Sequence, residues 1–160
     1  MDLSQPDQCA YFKWRKQLPV ARLASDILCN PMKFEHFALN VPDVRAMSRW
    51  YIEHLGLQVI RSREDAPYTH FLGDDTGRVF IELYTNPAAM IPDYAGQHPL
   101  VVHFAFYTAD SGADRLRLEK VGAKFSIEDT APDGTRLIMM RDPWGVALQL
   151  CQRGKPFPGF

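Results

Sequence analysis

Apolar and polar positions along this chain alternate between two periods, and they do so twice. "FEHFALNV" at 34–41 has the composition of a strand. "VRAMSRWYIEHL" at 44–55 then places Met47, Trp50, Tyr51 and Leu55 on one side of a helix, with Asp43 set to cap it and Gly56 to end it. "LQVIRS", "YTHFLG" and "VFIELY" read as three strands, the last two separated by a turn at "DDTGR". The pattern then restarts. "LVVHFAFYT" reads as a strand, a helix is expected from about Ser111 to Val121 with Gly122 ending it, and "AKFSIED", "TRLIMMR" and "VALQLCQ" follow as strands across turns at "APDG" and "DPWG". Each half is β-α-β-β-β. The expected class is α+β, built from two tandem βαβββ modules at about 33–90 and 98–152 within a domain spanning 33–153.

The spacings support an internal duplication. His36 and Glu82 are 46 residues apart, and so are His103 and Gln149. His36 precedes Gly56 by 20 residues and His103 precedes Gly122 by 19. A repeat of this kind outranks any single motif. Residues 1–32 fall outside it. They hold Pro6, Pro19 and Pro31, with Trp14, Leu18, Leu23, Ile27 and Leu28 at helical spacings, and read as an N-terminal extension of one or two short helices. Residues 154–160 read as a C-terminal tail.

The first and last strand of each module carries one polar residue of a type that binds metals: His36, Glu82, His103 and Gln149. A carboxylate inside "VFIELY" is costly to bury without a partner. Alternation puts Ala38 beside His36, Ala105 beside His103 and Ala147 beside Gln149, which leaves room on that face. Two imidazoles, a carboxylate and an amide oxygen suit a divalent transition metal such as Ni, Co, Zn, Mn or Fe, with Glu82 compensated by the cation. Tyr84 and Tyr107 share the same faces and are candidates to bind substrate, as is His70 in "YTHFLG".

Composition narrows the partners. The 160 residues include 18 Lys and Arg against 19 Asp and Glu, a balance with no surplus for a phosphate backbone, so nucleic acid is not expected. No apolar run reaches the ~20 residues of a membrane span. Cys9, Cys29 and Cys151 are scattered and odd in number, which argues against a disulfide framework and for a reduced, cytoplasmic protein.

The strand histidines, "HLGLQV", "IELY" and "DPWGVALQL" together resemble the vicinal oxygen chelate superfamily, which includes glyoxalase I, methylmalonyl-CoA epimerase, extradiol dioxygenases and antibiotic-resistance proteins. The resemblance implies a curved mixed sheet around a central pocket, a metal held by His36, Glu82, His103 and Gln149, and a homodimer, with the two modules of a site drawn from one chain or from both. It implies a metal-dependent lyase or isomerase, similar to lactoylglutathione lyase, acting on a small carbonyl substrate with vicinal oxygens. The proton would move by way of a metal-stabilised enediolate and Glu82 would carry it. Asn86 matches a glutathione-contacting asparagine of the family and Asn40 stands where the family has an arginine; the resemblance implies that both bind substrate, and the loss of that cation argues against glutathione. Gln149 stands where the family's proton-transferring glutamate usually lies, and an amide is no base. The alternatives implied are an epimerase or dioxygenase-type metalloenzyme, or a non-catalytic binder of small molecules.

Overall fold

A computed structural model describes residues 32–158. The expectation of helices in residues 1–31 lies outside them. The element order is β1 (Phe37–Asn40), α1 (Val44–Leu55), β2 (Gln58–Ser62), β3 (His70–Gly73), β4 (Val79–Tyr84), β5 (Phe104–Tyr107), α2 (Ser111–Glu119), β6 (Lys124–Thr130), β7 (Arg136–Arg141) and β8 (Ala147–Gln152). The β-α-β-β-β order therefore occurs twice, as the repeat predicts.

Each module forms one four-stranded mixed sheet, ordered β1-β4-β3-β2 in the first and β5-β8-β7-β6 in the second. β1 runs parallel to β4, and β5 runs parallel to β8, so that the helix between strands crosses over the sheet in both. The remaining pairings are antiparallel.

Local chemistry sets the helix limits. The Asp43 carboxylate accepts the Ala46 N–H at 2.9 Å and starts α1. Gly56 ends it in the left-handed region (φ 72°), where a side chain would be strained. Asp110 starts α2 the same way, accepting from Ala113 N–H at 3.0 Å. α1 buries Val44, Met47, Ser48, Trp50 and Tyr51 against the sheet.

One apolar cluster is shared by both modules. Leu39, Leu72, Ile81 and Leu83 of the first sheet join Ile138, Met140, Leu148 and Leu150 of the second, with Met47 and Tyr51 from α1 and Leu118 from α2. Hydrogen bonds between the modules fix the arrangement: Trp50 Nε1 donates to Val121 O at 2.9 Å, and Arg117 Nη1 to His54 O at 2.8 Å.

The "DPWG" turn is the third tie. Asp142 is buried and accepts from Tyr51 OH (2.8 Å), Trp144 N (2.9 Å) and Val146 N (2.8 Å). Burial pushes its carboxyl up to about 6 in spite of these donors, and burial beside Asp142 pushes the Tyr51 phenol well above its ordinary value. Gly145 in the same turn has φ 89°, and a Cβ there would lie 2.8 Å from Ala95, so the site accepts glycine alone without rearrangement.

Candidate functional site

Alternation along β4 and β8 decides what faces where. Ile81 and Leu83 point into the shared core, so Glu82 and Tyr84 point the other way and are part-exposed. Leu148 and Leu150 point inward in the same manner, and Gln149 outward. The candidate ligands thus lie on the face of each sheet that the core leaves open.

The histidines precede their strands by one residue instead of sitting at strand centre. Pairing of β1 with β4 begins at Phe37↔Ile81, and pairing of β5 with β8 involves Phe104↔Leu148 first. His36 and His103 therefore emerge where each parallel ladder starts. The modules place the rest identically: Ala38 pairs with Glu82, and Ala105 with Gln149.

In the first module the pair is in contact. His36 Nε2 lies 3.0 Å from Glu82 Oε2, and the His36 ring meets Phe71 edge-on at 5.6 Å. Glu35 holds the other ring nitrogen of His36, a contact the sequence did not suggest. The Glu82 side chain is 19% exposed, so His36 and solvent share in compensating the carboxylate. In the second module His103 Nδ1 lies 3.1 Å from Pro99 O, and Cys151 Sγ donates to Gln149 Oε1 at 3.3 Å. Cys151 is buried, and desolvation raises its thiol above the usual range.

Two nitrogen and two oxygen donors fit a divalent transition metal chemically. Among the described residues, however, no three His, Cys, Asp or Glu side chains converge on one point. The chain brings His36 to Glu82 and does not bring His103 to them. A metal held by all four needs the two open faces opposed.

The other candidates divide. Tyr84 shares the Glu82 face, two residues along β4. Tyr107 is exposed at the end of β5, four residues after His103. His70 pairs with Leu83, which puts it on the core side of the sheet, away from Glu82. It is buried beneath α1 with Nδ1 2.9 Å from Ser48 Oγ, its Nε2 has no hydrogen-bond partner, and burial lowers its pKa. This is the environment of a neutral packing histidine, and substrate contact is withdrawn for it. Asn40 is also buried, and its amide is fully engaged: Nδ2 donates to Asn86 O (3.1 Å) and Ala89 O (2.8 Å), while Oδ1 accepts from Asn86 N (2.9 Å). Asn40 and Asn86 therefore pin the loop after β4, with Asn86 Oδ1 turning it by accepting from Ala88 N at 3.0 Å. Tyr94 OH ties the same segment by donating to Asn40 O at 2.9 Å. Arg141 fastens the following residues through Tyr94 O (2.8 Å), Gly145 O (2.7 Å) and Gln97 O.

Residues the sequence did not single out lie directly beside the ligands. Phe71 pairs with Glu82, and Met139 with Gln149. Period-two alternation identifies the face of each strand, but the cross-strand partner depends on register, and bulges between Val59/Arg61, Leu72/Gly73 and Phe125/Ile127 shift it.

Comparison with known proteins agrees with this architecture. The structure is similar to glyoxalase I from Zea mays, with a TM-score of 0.59 and 25% identity over 75% of this chain and 44% of that one. The chain thus spans less than half the length of the maize protein. It is similar in fold to TnmS3, an antibiotic-binding protein from Streptomyces sp. CB03234, with a TM-score of 0.57 and 20% identity over 76% of this chain and 96% of that one. In sequence it is 29% identical over 127 residues to the uncharacterised protein YwbC of Bacillus subtilis (strain 168), covering 76% of this chain and 98% of YwbC. No helix among the described residues is long and apolar enough to cross a membrane. Residues 33–150 match the family model for the glyoxalase/bleomycin resistance protein/dioxygenase superfamily, and the chain belongs to that superfamily.

Proposed function

We propose that this protein is a metal-dependent lyase or isomerase that moves a proton within a small carbonyl compound. The observation that carries this reading is the pairing of two matched half-sites. One is His36 with Glu82 at 3.0 Å; the other is His103, one residue before β5, and Gln149, which pairs with Ala105 as Glu82 pairs with Ala38. When bound, a divalent metal supplies a Lewis acid that polarises vicinal oxygens. His36, Glu82, His103 and Gln149 would hold it.

Glu82 is the one carboxylate among these four, and with one oxygen on a metal its other oxygen would remain free to hold a proton, whereas each histidine would give the metal its basic nitrogen. It takes the proton from the hydroxyl-bearing carbon next to the carbonyl as the electron pair moves toward the carbonyl oxygen, then gives it to the former carbonyl carbon, while the hydroxyl proton passes from one vicinal oxygen to the other. Carbonyl and hydroxyl exchange places, and no oxidant is consumed. Ala38 and Ala105 leave space against the two ligand faces, and Tyr84 and Tyr107 offer hydroxyls to a substrate oxygen.

A second copy of the chain opposes the half-sites in this reading. Phe34 is 65% exposed two residues before His36, and Val101 is 72% exposed two residues before His103. Apolar side chains flanking both candidate ligands are covered when one copy's first module faces the other's second. Each homodimer would then hold two sites.

The test is solvent exchange. Protein given a divalent transition metal and hydroxyacetone in deuterium oxide is expected to place deuterium on the carbon next to the carbonyl at least tenfold faster than buffer with metal alone, within the range of general-base catalysis. Exchange at the buffer rate, at hydroxyacetone concentrations high enough to offset weak binding, would contradict the proton-transfer reading and favour a binder of small molecules on the same faces.

A further inference from the structure

Following each sheet across its register through the candidate ligand gives two matching rows. In the first, Ala38 pairs with Glu82, Glu82 with Phe71, and Phe71 with Arg61. In the second, Ala105 pairs with Gln149, Gln149 with Met139, and Met139 with Ile127. Directly paired residues project from the same face, so each row lies on the open face that carries its ligand. Met139 is absent from the shared core although it is buried, which agrees with that placement.

Position by position, the rows match in three places and part in the fourth. Alanine stands against alanine, glutamate against its amide, and a ring against a thioether chain. At the outer position Arg61 stands against Ile127. Arg61 is exposed, and its guanidinium makes no ion pair or hydrogen bond among the described residues. Ile127 is 54% exposed on the same row. At the usual strand separation of about 5 Å, Arg61 is two strands, or roughly 10 Å, from Glu82, a gap that an extended arginine side chain laid across Phe71 largely spans.

From this asymmetry we infer that the substrate is an anionic carbonyl compound with an apolar body. Its carboxylate is held by Arg61 on the first sheet, and its aromatic or branched part lies against Ile127 on the second, where Met139 backs the position from beneath. The inference rests on the reading that the two faces form one site, and it names the substrate class of that site. A planar guanidinium suits a carboxylate through two parallel hydrogen bonds. The exposed isoleucine favours a body that leaves water.

Three probes isolate the two contributions: phenylpyruvate carries both groups, pyruvate lacks the body, and phenylacetone lacks the anion. Calorimetric titration of the full chain is expected to give phenylpyruvate a dissociation constant at least tenfold below either of the others. Arg61→Gln should weaken phenylpyruvate about tenfold, the scale of one charge-assisted pair, and leave phenylacetone unchanged. Ile127→Ser should weaken both aromatic probes severalfold and leave pyruvate unchanged. Both positions are exposed, and unchanged melting temperatures would show that the variants fold. Pyruvate binding as tightly as phenylpyruvate, or Arg61→Gln affecting phenylacetone and phenylpyruvate alike, would overturn the inference. Absence of binding by every probe in protein that still retains metal would overturn it and spare the metal-site reading. Absence of both binding and metal would overturn the two together.

Discussion

Glu82→Gln is expected to lower the rate of carbon–deuterium exchange at least 100-fold, the lower end of what a positioned general base contributes. The melting temperature should move by no more than about 2 °C. The two expectations follow from the same geometry. Glu82 is fixed by its neighbours, because Ile81 and Leu83 on either side are fully buried and hold β4 in register with β1 and β3. An amide of the same shape keeps an acceptor 3.0 Å from His36 Nε2, so little packing is lost. What it loses is the capacity to take a proton, and Gln149 already lacks that capacity. No second carboxylate among the four candidates can take over. An unchanged exchange rate in Glu82→Gln would remove Glu82 as proton carrier.

Asp142→Ala should destabilise the fold by about 3 kcal/mol, lowering the melting temperature by roughly 10 °C for a chain of this size. The carboxylate gathers the Tyr51 hydroxyl and the Trp144 and Val146 N–H groups in a buried turn, and alanine leaves all three donors without it. Asp142→Asn separates geometry from charge. The folded carboxyl titrates at about 6, above the ordinary value of 3.8, so the folded protein binds the proton more tightly than the unfolded chain does. Stability from this group is therefore fully present below pH 3.8 and falls as pH rises through about 6, by an amount on the order of 3 kcal/mol. The asparagine variant lacks that loss. Its stability relative to wild type should improve steadily between pH 4.5 and 7 in thermal or urea melts, and a difference independent of pH would contradict burial of the charge as the cause. His70 has the opposite sign: desolvation lowers its pKa, so its contribution is present above the ordinary histidine value of 6.5 and declines as pH falls. Taking the difference between wild type and variant cancels that background.

The sequence made local features legible and long-range ones obscure. α1 runs Val44–Leu55, as Asp43, Gly56 and the spacing of its apolar residues require, because both caps act within a turn of the helix. The duplication was legible because matched spacings survive as matched registers, Ala38↔Glu82 and Ala105↔Gln149. The resemblance offers Asn40 as a substrate residue, whereas its partners Asn86 and Ala89 lie 46 and 49 residues away and turn it into a loop clamp. No local pattern announces such a contact. His70 was visible as a polar residue in a strand, but its facing follows from pairing with Leu83, which depends on where β3 joins β4. The Arg61 and Ile127 rows were hidden for the same reason, since bulges in β2 and β6 intervene. The meeting of the half-sites is not encoded in either module alone: each supplies two donors to its own open face.

That meeting is the central claim, and metal content tests it most directly. The full chain, purified without added metal and measured by elemental analysis beside His36→Ala and His103→Ala, is expected to carry about one divalent transition-metal ion per chain. Each variant should lose it together with the gain in melting temperature that bound metal gives. Less than about a tenth of an equivalent in wild type, with no rise in melting temperature on adding Ni, Co, Zn, Mn or Fe, would contradict a shared metal site, as would full metal content in His103→Ala.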